Sequence, residues 1–309
     1  MKPSTRTCLA ALLAACWAAP LAAQALALPL KKGSVRLAVI GDTGTGDASE
    51  YDVGKQLELY RKKFGFTFVI MLGDNIYGSE RPQDFDKKFI KPYKPLLDAN
   101  VEFNATLGNH DDPNQRFYKP FNMGGERYRT FKKGNVRFFV IDSNYLDPDQ
   151  IKWLERELAA SGSDWKIPYF HHPLYTSAAR GPNLAQRKIL EPLFIKYGVD
   201  VVFSGHEHIY ERLRPQHGIY YFTSGGAAKL RTNDFRIGDV AEAGYAKDRT
   251  FMLVEIAGNE LYFQTISRSG QTVDKGVIRR REVRQPVAKA APPAKTTSVK
   301  PSTKPKPLH

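Results

Sequence analysis

Between residues 34 and 280 the chain is punctuated by short apolar runs, and the segments separating them change character along its length. VRLAVIG, starting at Val35, and FTFVIML, starting at Phe66, are strand-like runs rich in β-branched and aromatic residues. Between them, Glu50 to Lys63 spaces Tyr51, Leu57, Leu59 and Tyr60 for a helix. A proline-bounded helix is predicted around Asp84 to Leu97, before the run VEFNATL. RYRTFKKGNVRFFVID reads as a hairpin turning at Gly134-Asn135, and DPDQIKWLERELAAS opens with an Asp-Pro helix start. WKIPYF, a helix over 184–197, VDVVFSG, IYYFTSG and the hairpin FMLVEIAGNELYFQTIS follow. Strand–helix units first and antiparallel hairpins behind predict a mixed-sheet α/β sandwich.

The two ends lie outside that pattern. Lys2 and Arg6 precede the apolar stretch LAALLAACWAAPLAA, and Ala23, Ala25 and Ala27 offer small-residue cleavage sites. This is the layout of an export signal over residues 1–27, and the apolar run is short for a spanning helix and broken by Pro20. A minority alternative is a lipobox, Leu13-Ala14-Ala15-Cys16, acylated at Cys16. Cys8 and Cys16 are the only cysteines, so the mature chain holds no disulfide. The expected localisation is periplasmic or secreted, with no transmembrane segment in the mature chain.

At the other end, residues 283–309 form a Pro/Lys/Thr-rich tail without apolar periodicity, predicted to be disordered. Of the formal charge of +14, Arg279 to His309 contributes nine Lys/Arg against one Glu. The tail suits weak contact with anionic surfaces. Nothing interleaves its charge with the aromatics of a single-strand nucleic-acid binder, and no specific nucleic acid is expected. Residues 34–282 are expected to be one catalytic domain.

The chemistry lies where the strands end. Asp42 stands in GDTG, Asp74 in GDNIY, Asn109 and His110 in GNHD, His171 and His172 in HHP, and His206 and His208 in GHEH. Each cluster follows an apolar run, so all five can converge on one rim, where open α/β folds hold their sites. A single Gly-Asp turn is ordinary; five such strand ends together are not. Carboxylates, an amide and imidazoles suit hard to borderline cations, and the lack of cysteine excludes soft-metal sites. The donors are too many for one tetrahedral zinc, whereas two ions sharing a bridging carboxylate fit.

In this order, GDTG, GDNIY, GNHD, HHP and GHEHIYER resemble the calcineurin-like metallophosphoesterases, and within them the short, tartrate-resistant type of purple acid phosphatase. The resemblance covers roughly residues 35 to 280. It implies a four-layer α/β-β/α sandwich of two mixed β-sheets flanked by helices. It also implies one metal site at Asp42, Asp74, Tyr77 and His208, holding Fe3+. The second, at Asp74, Asn109, His171 and His206, would hold a divalent ion (Fe2+, Zn2+ or Mn2+). His172 falls beside a ligand position, not on one. His110 matches the family's acid for the leaving group, with Asp111 a candidate to orient it. Arg212 receives no role, and His217 reads as a turn residue.

Tyr77 then has a reason in charge. A ferric ion carries one unit more than a divalent one, and a phenolate cancels it; bound cations readily deprotonate such ligands. The competing reading leaves Tyr77 packed behind two divalent ions. The implied function is hydrolysis of phosphate monoesters by in-line attack of a metal-bound hydroxide. The alternatives are a phosphodiesterase or nucleotide pyrophosphatase and, from another class, a catalytically silent metal-binding surface protein. One departure stands out: related short phosphatases carry a histidine before Gly-Pro after the HHP segment. This chain has Arg180 there, in SAARGP. An arginine grips phosphate with two donors at every working pH, so Arg180 is expected to bind the substrate.

Overall fold

The computed structural model describes residues 25–280 except 237 and 239; most of the leader, with Cys8 and Cys16, and the tail 283–309 lie outside the described residues. The chain first lays down β1 (Val35–Ile40), β2 (Phe68–Met71) and β3 (Glu102–Ala105), mutually parallel. It then builds a second sheet from β4 (Arg129–Lys133), β5 (Val136–Val140), β6 (Trp165–Phe170), β7 (Val201–Ser204), β8 (Tyr210–Leu213), β9 (Tyr220–Ser224) and β10 (Ala241–Tyr245). It returns to the first with β11 (Thr250–Ala257), β12 (Glu260–Ser267) and β13 (Thr272–Arg279). The strand orders are β13-β12-β11-β1-β2-β3 and β10-β8-β9-β7-β6-β5-β4, and both sheets are mixed. In the second, β5, β6, β7 and β9 are parallel, with antiparallel strands outside them.

The helices start and stop on local chemistry. Asp47 accepts the Glu50 N–H at 3.0 Å to open α1 (Ala48–Phe64), and Gly65, at φ 73°, closes it. Pro82–Phe85 (α2) runs through a π-helical turn at Asp86–Ile90 into α3 (Lys91–Asp98). Asp147 caps α4 (Pro148–Ala159) by accepting the Gln150 N–H at 2.8 Å, and Asn183 caps α5 (Leu184–Tyr197).

Both faces of each central strand are covered, which is why the runs read as continuously apolar instead of alternating. On β1, Leu37 and Val39 face the other sheet, while Ala38 and Ile40 face the helices. Leu37, Ile70, Phe138, Ile167, Phe203 and Phe222 belong to the layer between the sheets. Val53, Leu57, Tyr60 and Leu96 cover the outside of the first sheet; Leu154, Leu158, Leu190 and Phe194 cover the second. The four layers are those the family resemblance implies, and the two mixed sheets are those the pattern predicts. Fully burying one such side chain stabilises by roughly 1.5–3 kcal/mol.

Strands β8, β10 and β13 carry no apolar pattern and are not predicted. In β8, Arg212 donates from Nε to Asp274 Oδ2 of β13 at 2.8 Å, tying the two sheets together at one edge. His217 sits at φ 50° in the turn before β9, 3.8 Å from Glu191. A strap at the start of the described chain lies along the first sheet. Ala27 N–H donates to Gln264 Oε1 at 2.8 Å, Leu28 is buried, and buried Glu255 accepts from the N–H groups of Leu30 and Lys31.

Candidate metal centre

Every strand end singled out by sequence reaches the same rim. Asp42, Asp74 and Asn109 follow neighbouring β1, β2 and β3; His171 and His206 follow neighbouring β6 and β7. The loops approach so closely that glycine is required between them. A Cβ on Gly108 would stand 2.2 Å from Asp74 Oδ1, and one on Gly205 would stand 2.7 Å from Asp42 Oδ2. Three candidate ligands themselves adopt left-handed backbone: Asp42 (φ 55°), Asp74 (φ 52°) and His206 (φ 69°). Non-glycine residues held there cost on the order of 1–3 kcal/mol each, and such strain gathers at functional sites.

Two donor groups result. In the first, Tyr77 Oη lies 2.8 Å from Asp74 Oδ2, 3.2 Å from Asp42 Oδ1 and 3.3 Å from His208 Nε2. In the second, Asn109 Oδ1 lies 3.0 Å from His171 Nε2 and 2.9 Å from His206 Nδ1. Asp74 spans both, because its Oδ1 is 3.4 Å from His171 Nε2. The arrangement suits cations and little else. Asp42 and Asp74 are buried beside one another, and among the described residues neither forms an ion pair with a lysine or arginine. Burial, then the charge of Asp74, pushes the Asp42 carboxyl well above the usual carboxylate range. Burial and the two carboxylates likewise push the Tyr77 phenol upward. Burial moves the imidazoles the other way, with His171 well below its ordinary value, His206 at about 2 and His208 at about 4. The rings are therefore neutral, with lone pairs available to a metal. Acids denied a counter-charge, neutral imidazoles and a two-faced carboxylate together fit a pair of ions.

His110 stands outside the donor groups. Its backbone N–H donates to Asp74 Oδ1 at 2.9 Å, and its ring, on an exposed residue, lies 5.1 Å from the Tyr77 ring. Arg180 reaches the opposite flank, donating from Nη1 to His206 O at 3.0 Å, with His206 Nε2 at 3.1 Å. Asp111 is turned away from the His110 ring. Its carboxylate accepts the N–H groups of Asn75 (2.8 Å), Ile76 (3.1 Å) and Gly108 (2.8 Å), fastening the Asp74 loop to the Asn109 loop. Sequence reasoning missed that clamp and Lys229, whose ammonium lies 4.6 Å from the centre of the Tyr77 ring. Neither has a local signal: Asp-Asp-Pro is an ordinary turn, and Lys229 follows an unremarkable Gly-Gly-Ala-Ala.

Glu50, by spacing only a helix residue, has a second role. Buried behind the GDTG loop, it accepts the Gly46 N–H at 2.6 Å, and burial raises its carboxyl to about 8. An acid whose folded value is raised binds more protons in the folded than in the unfolded state, so its stability contribution declines as pH rises from about 4.5 to about 8. Glu50→Gln, which mimics the neutral acid, should flatten that decline. Thermal melts at pH 5 and pH 8 should show a drop in Tm at least about 2 °C smaller in the variant than in wild type. Equal drops would refute it.

Residues 35–210 match the family model of the calcineurin-like phosphoesterases. The chain is 26% identical to human tartrate-resistant acid phosphatase type 5 over 320 residues, covering 86% of this chain and 98% of the human protein. Among solved structures, a purple acid phosphatase from yellow lupin seeds superposes with a TM-score of 0.68 at 22% identity, covering 82% of this chain and 55% of that one. GAP50, described as the anchor in the inner membrane complex of Plasmodium, superposes with a TM-score of 0.70 at 18% identity, covering 81% and 90%. At these identities the structural likenesses establish the fold, an anchor protein included, and the activity has to be argued from the site.

Proposed function

The chain belongs to the calcineurin-like phosphoesterase family, and on that premise we propose that it is an exported dinuclear-metal phosphatase hydrolysing phosphate monoesters. The observation that carries this reading is Asp74, whose two oxygens face two separate donor groups. Asp42, Asp74, Tyr77 and His208 would hold a ferric ion; Asp74, Asn109, His171 and His206 would hold a divalent one. Two such ions, when bound, would lower the pKa of a water and neutralise phosphate charge. His110 delivers a proton to the departing alkoxide from the rim. Arg180 grips the phosphate from the other flank, so Arg180→Ala should raise KM more than it lowers kcat. The catalytic domain spans 34–282, preceded by an export signal and followed by a basic tail over 283–309.

Metal analysis, a visible spectrum and rates on mono- and bis-(nitrophenyl) phosphate test this together. Two ions, one of them iron, and faster turnover of the monoester are expected; an iron-free active protein or a preference for the diester would overturn the corresponding part. The Tyr77 phenol is unfavourable as an anion between two carboxylates, and a ferric ion would supply the charge that lets it ionise. Tyr77→Phe should therefore abolish the visible absorption of the oxidised protein, measured at matched iron content.

A further inference from the structure

Beside the second donor group lies a cavity of about 340 Å3, bounded by His172, Pro173, Arg180, Leu184 and His206 among others. His172 has no ligand role in the reading above, yet its ring centroid is 4.6 Å from that of His206 and 4.9 Å from that of His171. Its orientation is set from behind. Ser143 Oγ accepts the His172 backbone N–H at 3.1 Å and lies 3.0 Å from His172 Nδ1. Buried Ser143 has no other acceptor for its hydroxyl proton among the described residues, so that proton goes to Nδ1. The ring proton then resides on Nε2. A ring N–H donor, fixed in place by Ser143, is left on a residue that lines the cavity together with Arg180.

We propose that His172 contacts the substrate phosphate, donating from Nε2–H to an oxygen that Arg180 holds from the facing wall, with Ser143 as the residue that positions it. The cavity wall suits an oxyanion: an arginine and a histidine with a fixed ring N–H both line it, and none of the described residues lining it is a carboxylate. A family resemblance passes over this position, since only the histidine before it is a ligand. The proposal rests on the phosphatase reading, because the anion is the one whose ester is cleaved.

Calorimetric titration of the metal-loaded, full-length protein with inorganic phosphate tests it without turnover. His172→Ala and the space-filling His172→Phe should each weaken the Kd by about tenfold or more, the cost of losing a donor to a charged group. Ser143→Ala should shift it the same way by a smaller factor, and Ser143→Thr, which keeps the hydroxyl, should restore it. Metal content should stay at the wild-type value throughout. Unchanged affinity in both His172 variants, or in Ser143→Ala, overturns the proposal; so does loss of an ion from His172→Ala, which would make His172 a ligand. The two readings fail separately. Phosphate binding that depends on His172 in a protein hydrolysing no ester would sink the phosphatase reading alone, whereas ester hydrolysis with His172-independent binding would sink this one.

Discussion

Asp74→Ala should strip both ions from the protein and lower turnover by about a thousandfold or more. Its two oxygens face the two donor groups: Oδ2 is 2.8 Å from Tyr77 Oη, Oδ1 is 3.4 Å from His171 Nε2, and the residue is buried. Removing it leaves each ion one anionic ligand short, and leaves the first with the carboxylate of Asp42 alone beside the phenol. The charge stabilisation that metal ions provide at a phosphoryl group is worth several kcal/mol, and about 4 kcal/mol corresponds to about 10³ in rate. Elemental analysis beside a steady-state assay checks both halves. A variant that keeps two ions per chain and its turnover would show that the two donor groups do not share Asp74.

His110→Ala should divide substrates by their leaving groups. The ring lies on the rim, outside both donor groups, while its backbone N–H holds Asp74 Oδ1 at 2.9 Å. Substitution keeps that backbone bond, so both ions should stay. What goes is the proton for the departing oxygen, a contribution typically of ~10²–10⁴ in rate. An alkyl phosphate, whose alkoxide leaves poorly, should lose about 10² or more in kcat. A nitrophenyl ester, whose phenolate leaves unaided, should lose far less. Comparable losses on both substrates with full metal content would rule out proton delivery by His110.

Much of this site can be read along the chain because its donors are carried by backbone turns. Gly-Asp, Gly-Asn-His, His-His-Pro and Gly-His-Glu-His each sit directly after a buried strand, and short-range chemistry alone places a polar residue there. The helices are equally local in origin. Asp47, Asp147 and Asn183 cap them, and α1 and α4 fall within a few residues of their predicted limits. The strands missed, β8, β10 and β13, are those whose polar residues find partners only across the fold, as Arg212 does with Asp274.

Hydrophobic periodicity and turn chemistry act between near neighbours, and they set the strand-helix order, the buried character of the central strands and the identity of the donors. How those donors divide depends on contacts between remote segments. Asp74 faces two groups because the β2 loop runs between those of β1 and β3, and because glycines at 108 and 205 let the loops close on one another. Tertiary structure also took Asp111 away from the His110 ring and gave it to three backbone N–H groups, two of them 35 and 36 residues distant. It turned His172 by a hydroxyl 29 residues away. In each case the partner is remote along the chain, and a hydrogen bond between remote residues leaves no trace in local spacing: its energy exists only once the two sheets have brought the atoms within about 3 Å.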